Sequence, residues 1–255
     1  MIALPETTVR IASSEDTILS IGAGQTVAKA TVTPRFGRKG DFPVSDGSFR
    51  FPALAAPDLA SIEWIGTDGD RLLTSYVEVV SRHYFDIEDL RMFGDGQDEF
   101  DGMSDDALIQ ARQAATEVFE RSARRSFVER VGRTKDYGAD QFVELAHNDV
   151  RELLVDGYRL VSDCQVVRDG SAPRPFPVWI EYLYGAEQIP AQVSRSVLEL
   201  AAYMLRPTNR PIGATGESTD AGYIHFTTAG RDGATDIPEV NAAIEQFGRG
   251  ARCVW

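Results

Sequence analysis

Ser104-Asp105-Asp106-Ala107-Leu108-Ile109-Gln110-Ala111-Arg112-Gln113-Ala114-Ala115-Thr116-Glu117-Val118-Phe119-Glu120-Arg121-Ser122-Ala123-Arg124-Arg125-Ser126-Phe127-Val128 decides the fold class. Leu108, Ala111, Ala115, Val118, Phe119, Ser122 and Phe127 recur near helical spacing and make one face, so a helix is expected over residues 105–128. Ser104 is placed to cap it, and Asp105 and Asp106 complement the dipole of its first turn. Glu117–Arg121 and Glu120–Arg124 are each four apart with the acid first, the order that favours surface pairing.

This helix stands between two strand-rich stretches. Upstream, residues 7–11, 17–21, 26–33, 61–65 and 72–80 are short runs of Val, Ile, Thr and aromatics. Gly22-Ala23-Gly24, Pro34, Asp46-Gly47 and Asp68-Gly69 separate them, a spacing that suggests a small sandwich or barrel. Downstream, strands are expected over 142–145, 150–155, 158–167 and 178–184. Pro173, Pro175 and Pro177 forbid a central ladder strand just before the last of these. A second amphipathic helix begins at Ile189-Pro190, with Pro190 in its first turn, and stops at Pro207. Val193, Val197, Leu200, Ala201, Met204 and Leu205 share one of its faces. Residues 215–222 read as flexible, 223–228 as a strand, and Asp236-Ile237-Pro238-Glu239 as a capping box before a final helix that ends at Gly248. The expected architecture is α+β: a β-rich domain over 1–85, an acidic linker over 86–103, and a domain of helices plus a small sheet over 104–255.

The bulk numbers narrow the function classes. The chain has 255 residues, 43% of them hydrophobic and 25% charged, ordinary values for a globular protein. No apolar run is long enough for a membrane helix, and Met1-Ile2-Ala3-Leu4-Pro5-Glu6 lacks the features of a secretory signal. The net charge of −13 argues against a general nucleic-acid binder. Residues 86–106 hold nine acids and one base, Arg91, and account for most of that charge. A calcium loop starting at Asp95 would need Asp or Asn where Gln97 and Glu99 stand and Gly where Phe100 stands.

Catalytic patterns are missing. His83, His147 and His225 occupy no metal-ligand frame, and Cys164 and Cys253 fit neither a metal nor a redox motif and read as free thiols. No nucleophile elbow or Walker loop is present, and Gly22-Ala23-Gly24 lacks the third glycine of a dinucleotide loop. No catalytic residue, cofactor or metal is therefore expected, and the chain is read as a non-enzyme. The abundant carboxylates leave a carbohydrate-active hydrolase with a β-rich accessory domain as one alternative. A module that binds a capsid or cell-surface partner through residues 1–75 is another.

A resemblance adds to this reading. Val77-Glu78-Val79-Val80-Ser81-Arg82-His83-Tyr84-Phe85-Asp86-Ile87-Glu88-Asp89-Leu90 leads into the Ala114–Phe127 helix. Strands follow, then Ile189-Pro190-Ala191-Gln192-Val193, a helix bearing alanine and leucine, Thr215-Gly216-Glu217-Ser218-Thr219, and a short C-terminal helix. Over residues 77–255 this order resembles the head-tail connector (adaptor, or head-completion) proteins of long-tailed bacteriophages, particularly those of actinobacterial phages. The strands before Val77 depart from the compact members of that family.

The resemblance implies a structural virion protein of the neck, assembled in the host cytoplasm. It implies a homo-oligomeric ring of twelve copies between the portal protein and a stopper or next neck protein. The ring would line the conduit through which DNA passes without specific binding. Carried over, the C-terminal segment reaches the portal, which makes Phe247, Arg249, Arg252, Val254 and Trp255 candidate docking residues. The mixed charges of the long helix make Arg112, Glu120, Arg121, Arg124 and Arg125 candidate subunit contacts, because a ring needs head-to-tail surfaces.

Overall fold

A computed structural model describes residues 2–4, 8–21, 26–93, 99–206, 216–219, 222–225 and 234–249. Its first eight strands are β1 (Ile2–Leu4), β2 (Val9–Ala12), β3 (Ile18–Ile21), β4 (Val27–Thr33), β5 (Gly40–Pro43), β6 (Ser48–Arg50), β7 (Asp58–Gly66) and β8 (Arg71–Val80). Helices α1 (Ile87–Met92) and α2 (Asp105–Ala123) follow. Next come β9 (Arg130–Asp136), β10 (Phe142–Glu144), β11 (Val150–Leu153), β12 (Tyr158–Ser162), β13 (Gln165–Arg168) and β14 (Val178–Tyr184). The chain continues through α3 (Ala191–Leu205), the hairpin β15 (Gly216–Thr219) and β16 (Gly222–His225), and α4 (Pro238–Phe247). The α+β class holds, with the strands of the N-terminal region preceding the main helices.

The chain groups into two compact units, each made of two pieces: Met1–His83 with Ser126–Gln188, and Tyr84–Arg125 with Ile189–Trp255. The expected division at 85, 103 and 104 follows element order along the chain. Packing instead groups 126–188 with 1–83.

In the β-rich unit, the five-stranded sheet β2-β8-β7-β4-β5 and the three-stranded sheet β1-β3-β6 share one core. β7 shows why: Asp58, Ala60, Ile62, Trp64 and Gly66 are buried and alternate with half-covered residues, the period of a strand with one face in a core. Trp64 is wholly buried and donates its indole N–H to Ser75 Oγ at 3.2 Å. The chain passes from one sheet to the other at Asp46-Gly47, whose φ values are 51° and 71°. Main-chain bonds of 2.9 Å join Ser45 and Ser48 in both directions, the two-residue turn that positive φ at both centres favours.

The second piece of this unit carries β11-β14-β9 and β10-β13-β12 around Leu145, Tyr158, Val166, Ile180, Tyr182 and Tyr184. Residues 158–167 are expected as a single strand but form two, because the chain reverses at Asp163-Cys164 and Ser162 pairs with Gln165. Charged groups join the two pieces. Glu78 is buried on β8 and accepts from Arg10 Nε at 2.9 Å and from Arg130 Nε at 2.6 Å. Arg35 Nε donates to Glu181 at 2.5 Å.

In the helical unit, α2 packs against α3 and α4, and α1 packs against α2 and α3. Leu108, Ala115 and Phe119 of α2, Val193, Val197 and Ala201 of α3, and Val240 and Ala243 of α4 are fully covered. The acidic stretch is more than a linker: α1 forms within it, and Leu90 and Phe100 are buried. The Asp86 N–H donates to the Asp89 carboxylate at 2.9 Å and closes the first turn of α1. Pro190 stands outside α3 as its cap residue.

Of the apolar face expected for α3, Val193, Val197, Leu200 and Ala201 are buried, whereas Met204 is 41% exposed. The expected box at Asp236 does not form. Ile237 is the cap of α4, and Thr235 Oγ1 accepts from its N–H at 3.2 Å while Asn241 Oδ1 accepts from Thr235 N at 2.8 Å. Asp236 instead accepts from the Tyr203 hydroxyl at 3.2 Å.

Candidate functional site

The candidate assembly surface is built on α2. Ser104 Oγ accepts from Ala107 N at 3.3 Å and caps its start, as expected. The helix ends at Ala123 rather than Val128, because Arg124 turns left-handed at φ 54° and the Arg125 N–H reaches back to Glu120 O at 3.2 Å. Phe127 and Val128, expected on the helix, therefore belong to the β-rich unit, where they are buried.

This geometry sorts the five charged residues proposed for subunit contact. Arg112 and Glu120 are 4% and 8% exposed, too covered to meet a neighbouring subunit. Glu120 accepts from the Tyr84 hydroxyl at 2.6 Å. Their helical phase puts them beside Ala111, Ala115 and Phe119, so the helix buries a wider face than its apolar residues alone define. Arg121 and Arg124 are exposed. Glu117 accepts from Gln113 Nε2 at 3.1 Å and, among the described residues, makes no ion pair with Arg121. Arg125 is half-buried and donates to Phe247 O at 3.3 Å.

That last bond leads to the C-terminal end. Phe247 closes α4 and is half-buried; Gly248 and Arg249 follow. The Arg249 N–H donates to Ala123 O at 2.8 Å, and Arg249 itself is exposed. Gly248 has no room for a side chain: a Cβ there would lie 2.4 Å from Ile244 O and 3.2 Å from Ala123 O. The ends of α2 and α4 thus form one junction, with Arg121, Arg124 and Arg249 as its exposed cations. In the sequence Phe247, Arg249 and Arg125 stand as separate candidates, and Gly248 carries only the signal of a helix stop; in the fold it lets the two helix ends meet. Arg252, Val254 and Trp255 lie outside the described residues, as do Cys253, Gly22-Ala23-Gly24 and the proposed calcium-loop start Asp95.

No family model matches the chain, and no curated protein does. Solved structures do match. One chain, from the neck of an empty gene transfer agent particle computed with C6 symmetry, is 18% identical with a TM-score of 0.36, over 51% of this chain and 82% of its own length. Another, from the virion of a native gene transfer agent particle, is 20% identical with a TM-score of 0.39, over 66% of this chain and 91% of its own length. Both are distant likenesses.

The remaining polar clusters read as structural. Among the described residues, no group of three or more His, Cys, Asp or Glu is placed to hold a metal ion, and no helix is long and apolar enough to cross a membrane. His147 Nδ1 lies 2.8 Å from the Tyr182 hydroxyl and its ring stacks on Tyr184 at 4.0 Å. His83 Nε2 lies 3.1 Å from Glu15. Cys164 is a free, half-buried thiol beside Ser162.

Proposed function

We propose that the chain is a non-enzymatic structural protein of a virion neck, the adaptor that forms a ring between the portal and the next neck protein. In this reading twelve copies encircle the DNA conduit and assemble in the host cytoplasm. The observation that carries it is the α2–α4 junction: the exposed Arg249 leaves a fixed point, held by Ala123 and Arg125. A docking segment that starts from a rigid base gives up less conformational freedom on binding than one at the end of a loose tail. Helix α2, the strands after it, α3, the β15–β16 hairpin and α4 also follow the element order of the connector proteins described above.

Within this reading Arg249, Arg252, Val254 and Trp255 meet the portal, and Arg121 and Arg124 meet a neighbouring subunit. The acidic composition fits a conduit in which few phosphates are neutralised, so that DNA slides without being held. Negative-stain images of the protein mixed with its portal test the proposal. Twelve-fold rings seated on the portal are the expected result; a chain that ignores the portal overturns it.

A further inference from the structure

The outer face of β9 and β14 carries a feature that the adaptor reading leaves unused. In the antiparallel register Trp179 lies opposite Lys135 and Glu181 opposite Arg133. Alternation puts Arg133, Lys135, Trp179 and Glu181 on the same side of the sheet. The Arg133 guanidinium lies 4.8 Å from the Tyr76 ring centre and 4.9 Å from that of Trp179, and Lys135 Nζ lies 5.0 Å from Trp179. The Trp179 indole, 45% exposed, is thus held by two cations. The Arg35–Glu181 ion pair brings the β4–β5 loop to the same side, with Phe36 53% exposed and Arg38 exposed.

This is the composition of a protein interface: exposed aromatic rings with arginine among them, and one ring already ordered. It is also a basic spot on a chain of net charge −13. Arg38, Arg133 and Lys135 have no carboxylate partner among the described residues. The partner should therefore offer carboxylates around an apolar side chain. The chain itself carries such a surface. Around α1, Asp86, Glu88, Asp89, Asp101, Asp105 and Asp106 are exposed. In their midst Met92 is 77% exposed, and a thioether packs well against aromatic rings.

We infer that the Arg133–Lys135–Trp179 face of one copy receives the acidic α1 segment, with Met92, of a second copy. The contact joins two different surfaces, so it propagates head to tail. It rests on the ring reading above and names surfaces for it.

The test is zero-length carbodiimide cross-linking of an equal mixture of ¹⁵N-labelled and unlabelled full-length chain, both in concentrated solution and after addition of the portal. Mass spectrometry should find mixed-isotope cross-links from Lys135 to Asp86, Glu88, Asp89, Asp101, Asp105 or Asp106. Trp179→Ala should reduce them at least about tenfold, and Lys135→Glu removes the reacting amine and should abolish them. A chain carrying Lys135→Glu together with Glu88→Lys and Asp101→Lys should form new intermolecular cross-links between position 135 and positions 88 or 101, with carboxylate and amine exchanged. Rings on the portal without these cross-links overturn this contact and leave the adaptor reading intact. These cross-links without portal rings support the contact and overturn the adaptor reading. No such cross-link in either arm, or tight binding of a short fluorescent DNA duplex that Lys135→Glu abolishes, also overturns the inference; the DNA result would make this face a nucleic-acid surface.

Discussion

The Arg249 main-chain N–H donates to the carbonyl of Ala123 at 2.8 Å. The bond spans helix ends more than a hundred residues apart in sequence and fixes where the chain leaves α4.

Gly248→Ala tests that junction. The added methyl would lie 2.4 Å from Ile244 O, so the backbone must shift and the Arg249–Ala123 bond is lost. The expected cost is about 1–2 kcal/mol of stability, read as a lower thermal midpoint, together with weaker portal binding. An unchanged midpoint and unchanged portal affinity would count against a pinned C-terminal end.

Tyr84→Phe should weaken the helical unit. It removes the 2.6 Å hydrogen bond to Glu120 and leaves a buried carboxylate with one donor fewer. Hydrogen bonds to charged groups contribute about 1.5–3 kcal/mol. Urea denaturation should show a loss in that range, and Glu120→Gln, which keeps an acceptor at that position, should lose less than Glu120→Ala.

Glu78→Ala should be among the most destabilising changes in the β-rich unit. It strips the shared partner from Arg10 and Arg130, and Arg10 is only 9% exposed. Removing one partner of a buried ion pair costs about 3–5 kcal/mol; Arg130, more open to water, places this case toward the lower end. If denaturant midpoints of Glu78→Ala and wild type coincide, these ion pairs do not join the two pieces of the unit.

Asp136 and Tyr158 set the pH response of the β-rich unit. Burial pushes the Asp136 carboxyl up, but hydrogen bonds from Gly138 N, Arg168 and Tyr158 outweigh it and hold the group below its ordinary 3.8. A folded pKa below the unfolded one gives stability that is present above about pH 4 and lost as the pH falls through the folded value. Burial and the bond to Asp136 push the Tyr158 hydroxyl from 10.0 to about 12. Its contribution is whole below pH 10 and disappears as the pH rises through 12, at most about 2–3 kcal/mol. Denaturation between pH 3 and pH 12 should show both limbs. Asp136→Asn should flatten the acid limb and Tyr158→Phe the alkaline one; limbs unaltered by either change would exclude this pair as their source.

Legibility in the sequence followed the range of the interactions. Ser104, the run of Val, Thr and Tyr over 72–80 and the run from Val178 to Tyr184 are local signals, and each marks an element the structure contains. Strand β9 was not foreseen, because Arg130, Arg133 and Lys135 read as surface and Gly132 weakens strand propensity. Its place is set by the Tyr182 ring, which would sit 2.4 Å from a Cβ at Gly132. Helix α1 was hidden by its own acids, with only Leu90 buried to anchor it. The union of 126–188 with 1–83 depends on contacts such as Arg130–Glu78 and Arg35–Glu181, separated by 52 and 146 residues, which no local pattern encodes. At the candidate site, charge made Arg112 and Glu120 look like surface residues; a hydroxyl 36 residues away from Glu120 helps to bury it.

The two-piece construction of each unit also sets the order in which a nascent chain can finish folding. The β-rich unit has all its strands once residue 188 has been made, whereas α1 and α2 must wait for α3 and α4 to cover them. A ribosome adding about 5–20 residues per second therefore holds the helical unit open until α4 has been made. Prematurely terminated chains would carry a finished β-rich unit and an unfinished helical one, so truncated products would be excluded from any assembly that depends on the α2–α4 junction.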